Sequence, residues 1–168
     1  IFAVTGGRLD KIDDTFFLVG GHKFMGRYNP MGPDHGPGFS QEYTQAIRKF
    51  KLDFEANLEV QNTPELVDKN HLHRRDYNLV PQIIKDKRIL MLYSGVFQKA
   101  QNLPWLYPVA IDRDSFEAIT SFQQKFNHYH CATLPIFHPA ESEMHTLFFG
   151  GIAQFYKDRK STRLNSSH

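Results

Sequence analysis

Side chains able to grip a ligand fall in three short clusters. His22, Arg27 and Tyr28 follow a glycine pair, His73, Arg74, Arg75 and Asp76 lead into one apolar run, and His128 and His130 lead into another. An arginine presents a planar fork to a carboxylate or a sugar hydroxyl. The same two arginines, beside Asp76, read equally well as ion-paired caps on a strand, so recognition and structural support both stay open for them. The pairs His71-x-His73 and His128-x-His130 put two imidazoles on one side of an extended strand, half of what a metal site needs. No Cys or carboxylate completes either pair locally, so solvated or backbone-bonded histidines are expected, with no metal and no cofactor. The chain has no Gly-Lys-Ser/Thr phosphate loop, no Gly-x-Ser-x-Gly elbow and no His-Glu-x-x-His pair. No catalytic residue is assigned, and binding is favoured over catalysis.

The elements that must carry these clusters repeat. Thr15–Gly21, Ile89–Gly95 and His145–Gly151 are each an apolar strand closing on small residues: Gly20-Gly21, Ser94-Gly95 and Gly150-Gly151. A second apolar run ending in Gly or Pro precedes each copy: Phe2–Gly6, Tyr77–Pro81 and Cys131–Pro135. The spacing from Ser94 to Gly150 sets a period of about 55 residues, and units of that size hide their apolar faces against their neighbours. The wider spacing from Gly20 to Ser94 holds one insertion, located at the turn-rich Asn29–Gly38 and the polar stretch Glu55–Asn70. Third strands are read at Arg48–Phe54, where Phe50, Leu52 and Phe54 alternate with charges as one buried face requires, and at Tyr107–Asp112. A helix competes over Tyr43–Phe54, and Ser115–Phe126 is ambiguous in the same way. With a weaker fourth strand, each unit reads as a four-stranded antiparallel propeller blade. The fold expected is all-β, a partial β-propeller of about two full blades plus the inner half of a third, over residues 1–156.

In such a blade the start of strand one and the end of strand two lie at the same end. The three polar clusters are therefore expected to converge on one face. The small pairs are read as structural turns, because a strand end that bends sharply beside another backbone favours residues without a Cβ.

Composition narrows the partners. Residues 157–168 hold four Lys/Arg and one Asp, so they carry +3 and leave −1 for the rest of a chain whose net charge is +2. They look like a non-native polar tail and are set aside from fold reasoning. The body lacks the clustered positive stripe that phosphate binding needs, so nucleic acid is not an expected partner. No run approaches the roughly 18 apolar residues of a membrane span. Cys131 is the single cysteine.

Phe17-Leu18-Val19-Gly20-Gly21 and Phe148-Phe149-Gly150-Gly151 resemble the second blade strand of kelch-repeat propellers, which closes on a Gly-Gly pair. Ser94 departs from that pattern, and the tryptophan typical of the third strand is absent, Trp105 lying in a loop-like stretch. The segments Arg74–Pro81 and Asn127–Ala132 are similar to uncharacterised secreted propeller proteins of bacteroidete type. Tyr129 and Cys131 share a face of one strand, unlike the Cys–Tyr pair that kelch-like copper radical oxidases join across strands, so Cys131 reads as a small core residue. The resemblance implies a recognition module, extracellular or at the cell surface. Its partners would be a protein or carbohydrate ligand and the remaining blades of a longer chain. Exposed aromatics such as Phe24, Tyr28, Trp105 and Tyr107 offer surfaces for stacking on sugars or anchoring a partner, while each taken singly reads as packing. An enzyme completed by missing blades, of carbohydrate-active or oxidase type, and a structural cell-surface blade array are the alternatives.

Overall fold

The structure is a computed structural model that describes residues 2–29, 36, 38–55 and 57–151, with the backbone of two short terminal strands. It is all-β, and no helix occurs among the described residues. The first sheet joins β1 (Arg8–Ile12), β2 (Thr15–Val19), β5 (Ala46–Asp53) and β6 (Glu59–Val67) in that order. Between β2 and β5 a separate hairpin forms from β3 (His22–Gly26) and β4 (Phe39–Tyr43). The second sheet runs through β7 (Asn78–Ile84), β8 (Lys87–Tyr93), β9 (Val109–Ile111) and β10 (Phe116–Ala118). A third, two-stranded sheet pairs β11 (Ala132–His138) with β12 (Glu143–Phe149). The backbone of β13 (Phe155–Lys157) pairs with β14 (Thr162–Leu164), and the other residues of the expected 157–168 tail lie outside the described residues. Every ladder is antiparallel.

The three recurrent segments take the same place: β2, β8 and β12 are each second in their sheet. Register agrees across the three, with Arg8 opposite Val19, Asn78 opposite Tyr93 and Ala132 opposite Phe149. The first strand of the first sheet is Arg8–Ile12, however, and not the apolar run Phe2–Gly6. Phe2 packs on Phe50, while Thr5 bridges to His22. A tight turn at Asp13, in left-handed conformation, pairs the more polar Arg8–Ile12 with β2.

Burial follows the position of each sheet. The second is covered on both faces, so Ile89–Leu92 of β8 is buried at every position, as a doubly covered strand requires. Its Leu90 and Leu92 face the first sheet in one cluster with Phe17, Val19, Ile47 and Ile111. Its Gln82 and Tyr93 face the third, where Gln82 donates to Thr146 at 2.7 Å and Tyr93 meets the Phe148 edge. β12 alternates instead, covered on one face only. Leu134, Ile136, Leu147 and Phe149 stay 43–57% exposed, at positions equivalent by register to ones that are buried or half-buried in the other two sheets.

Over 43–54 no helix forms: Tyr43 ends β4, and Ala46–Asp53 is β5, paired on its two sides with β2 and β6. Its core-facing residues differ from the alternation expected. Regular pairing opposite Phe17 and Val19 of β2 puts Lys49 and Ile47 on the core side, with Lys49 Nζ donating to the Arg113 carbonyl at 3.1 Å. Phe50 lies on the far face under Phe2 and Phe16, and Phe54 ends the strand 75% exposed. Of Ser115–Phe126, only Phe116–Ala118 is strand and the rest is turn and irregular structure.

All six residues of the small pairs have positive φ. The two positions of a pair meet different neighbours. A Cβ on Gly20 would stand 2.9 Å from the Arg74 carbonyl of the next unit, whereas one on Gly21 would stand 2.8 Å from Gly7 N of its own. Ser94 occupies the first position of the second unit, and its hydroxyl oxygen accepts from His128 N–H at 3.0 Å and from Gln124. Left-handed strain and a backbone clash together predict that Gly20→Ala costs about 2–4 kcal/mol in urea unfolding. Gly38→Ala, with nothing within 4 Å, is the control and leaves the midpoint unchanged.

Candidate functional site

Two isolated bridges outside the sheets build the walls of a cavity between the units. Thr5 pairs with His22 in the first unit and Arg75 with Val96 in the second, each through two backbone hydrogen bonds of 2.8–3.0 Å. Both bridges join the segment leading into strand one to the segment leaving strand two, and all four residues line a cavity of about 720 Å³. Tyr129, which holds the same place in the third unit as Thr5 and Arg75, lines it too. The hairpin β3–β4 supplies the remaining wall. His22, Phe24, Gln41 and Phe39 fall on one of its faces by the alternation of an antiparallel pair and border the cavity together.

At its centre is a charge-balanced cluster. Asp76 Oδ2 accepts from Arg75 Nη1 at 2.7 Å and from the Tyr129 hydroxyl at 3.1 Å, and Asp76 N–H donates to the Gly6 carbonyl. Arg75 Nε donates to the Tyr43 hydroxyl at 3.0 Å, and its guanidinium lies 5.6 Å from the Phe97 ring centroid. Burial works against the Arg75 charge, yet Tyr43 and Asp76 hold its pKa above the ordinary value. Burial and the neighbouring Asp76 push the Tyr129 phenol up. His22 is 3% exposed, and burial with the nearby Arg75 lowers its pKa, so the ring is neutral at pH 7. Its Nδ1 is buried without a hydrogen-bond partner. A bare lone pair there costs less than an orphaned N–H, which favours the tautomer protonated on Nε2.

Of the residues singled out in the sequence, His22, Tyr28, Arg75 and Asp76 come together at this cavity. His130 stands beside them, half-exposed, its Nδ1 4.0 Å from Asp76 Oδ1. Arg27 is exposed and outside the lining. His73 is stacked on Tyr43 at 3.8 Å and bound through Nδ1 to Gln45, and His128 is stacked on Phe148 at 4.3 Å. His71 contacts the Tyr107 hydroxyl at 2.8 Å. No group of three His, Cys, Asp or Glu able to hold a metal occurs among the described residues.

Arg74 is buried completely and serves packing rather than the cavity. Its guanidinium sits 4.6 Å from the Trp105 ring and 5.0 Å from Tyr107. It donates to the carbonyls of His71, Ser94 and Tyr107 at 2.8–3.1 Å. Burial brings its pKa down to about 9, so it is still a cation at neutral pH. Trp105 and Tyr107 pack as this cage instead of standing as stacking surfaces, in line with the packing reading of each, and Trp105 Nε1 donates to the His73 carbonyl. Gln41 and Phe39 were not legible as site residues because they stand directly after the turn-rich Asn29–Gly38, where no strand was expected. The signal was Phe39-x-Gln41-x-Tyr43, alternating like His22-x-Phe24 across the turn.

No protein-family model, curated protein or solved structure matches this chain.

Replacing Arg74 with Met leaves three buried carbonyls without a donor, each worth about 1–3 kcal/mol, so a loss of about 3 kcal/mol is expected in urea unfolding. A neutral outcome would remove the structural role given to it. The pH response has a definite sign. His22 and His73 have folded pKa values below the ordinary 6.5, both chiefly through burial. Such groups contribute stability that is complete above about 6.5 and is lost as pH falls through the lowered values. Urea midpoints should fall between pH 7 and pH 5, and by less in the His22→Asn variant; equal slopes would refute the assignment.

Proposed function

We propose that this chain is a recognition module that holds a protein or carbohydrate ligand in the cavity lined by Thr5, Arg75 and Tyr129. One observation carries the reading: equivalent lead-in segments of three successive units converge there with the segments that follow the small pairs. Binding residues concentrate in loops held by a rigid scaffold. The cavity combines several aromatic walls with a few convergent polar groups, the usual make-up of a ligand site.

The architecture proposed is a partial β-propeller of kelch type. Support comes from two four-stranded antiparallel meanders and an inner strand pair in common register, and from the glycine pairs at their turns. On this reading further blades cover the exposed face of β11–β12, since the equivalent faces of the first two sheets are each covered by the next.

Probing a combined glycan and peptide array with labelled chain tests the function. Asp76→Ala is expected to weaken any genuine ligand at least about tenfold, the equivalent of one lost charge-assisted contact. Arg27→Ala, outside the lining, should leave the signal intact. Ligands that bind the Asp76→Ala variant normally would place recognition elsewhere and end the proposal.

A further inference from the structure

We infer that the ligand of this cavity is a neutral sugar ring, seated with its C–H face on the aromatic wall of the β3–β4 hairpin and its hydroxyls on the Arg75–Asp76–Tyr129 cluster. This rests on the binding-module reading above and narrows it. The lining has no net charge: Arg75 and Asp76 are its ionic pair, 2.7 Å apart, and its other members are uncharged. An anionic ligand would have to compete with Asp76 for the guanidinium while meeting the same carboxylate. A neutral hydroxyl avoids that conflict, because it donates to a carboxylate and accepts from a guanidinium in one place.

The polar groups alternate in kind. Asp76 accepts, the remaining Arg75 N–H groups donate, and the Tyr129 hydroxyl and Gln41 amide do both. Adjacent hydroxyls on a ring call for such a mixture. In the same lining the rings of Phe24 and Phe39 stack at 5.1 Å with 24° between planes, and Tyr28, 60% exposed, lies 5.7 Å from Phe39. These rings give the cavity an apolar border, with Tyr28 its most exposed aromatic. A volume of about 720 Å³ lies inside the range of small-molecule sites, which favours a compact glycoside over an extended peptide.

The test is NMR titration of the purified chain with neutral methyl hexopyranosides and disaccharides, the matching hexuronates, and a mixed tetrapeptide pool. A neutral glycoside is expected to bind, with shift changes at Phe24, Phe39, Asp76 and Tyr129, and its hexuronate to bind about tenfold more weakly or not at all. Tyr28→Ala, an exposed rim change that leaves the fold intact, should weaken the glycoside by a similar factor, and Asp76→Asn should abolish it with an unchanged backbone spectrum. A hexuronate that binds more tightly than its neutral parent overturns the inference. Peptide binding at the same residues without glycoside binding overturns it too, and leaves the recognition-module reading standing. Shift changes confined to residues outside the cavity sink both. No response to any glycoside refutes the sugar assignment.

Discussion

The contact that orders this molecule is the backbone crossing where the lead-in of one sheet passes under the small pair of the sheet before it. Gly21 N–H donates to the Arg74 carbonyl at 2.9 Å, and the Tyr77 hydroxyl donates to the Val19 carbonyl while accepting from Arg8 N–H. At the next junction Asn78 takes over, donating to the His128 carbonyl and accepting from Cys131 N–H, with the Ser94 hydroxyl held by His128. Each crossing satisfies main-chain groups that no ladder reaches and that burial would otherwise penalise. Sheets fixed at these crossings stack face to face, and the shared apolar cluster of Phe17, Tyr77, Leu90 and Ile111 fills the gap.

Much of this was readable in the residues. The repeated apolar run and its small-residue ending located β2, β8 and β12, because a strand that bends beside another backbone favours small residues that take positive φ. Local pattern misled where a neighbour decides the outcome. Phe2-Ala3-Val4 looks more like a strand than Arg8–Ile12, yet hairpin pairing from the Asp13 turn selects the polar segment and leaves Phe2 to cover Phe50. Which side of β5 is core is equally silent in the sequence, because Ile47 stands on one side and Phe50 on the other, and pairing opposite Phe17 and Val19 of β2 decides between them.

The candidate site was half legible for a related reason. Convergence of the polar clusters follows from strand direction, so His22, Arg75 and Asp76 could be placed near one another. Burial could not be read from type: Arg74 and Arg75 are adjacent, but consecutive residues of extended chain point to opposite sides, one into the Trp105–Tyr107 cage and one toward the cavity. His73, two residues before Arg75, stays outside the lining because it is stacked on Tyr43. The hairpin wall escaped notice because its two strands flank a Gly- and Pro-rich turn that dominates the local composition.

The segments that clamp one sheet to the next are also those that border the cavity, Thr5 and Arg75 among them. A molecule seated there is held only by the assembled joint and not by the open chain, so occupancy and mechanical integrity form a single linked equilibrium. Anything that loosens a crossing erodes affinity, and any guest that fits raises the melting temperature, which turns heat resistance into a label-free sensor for it.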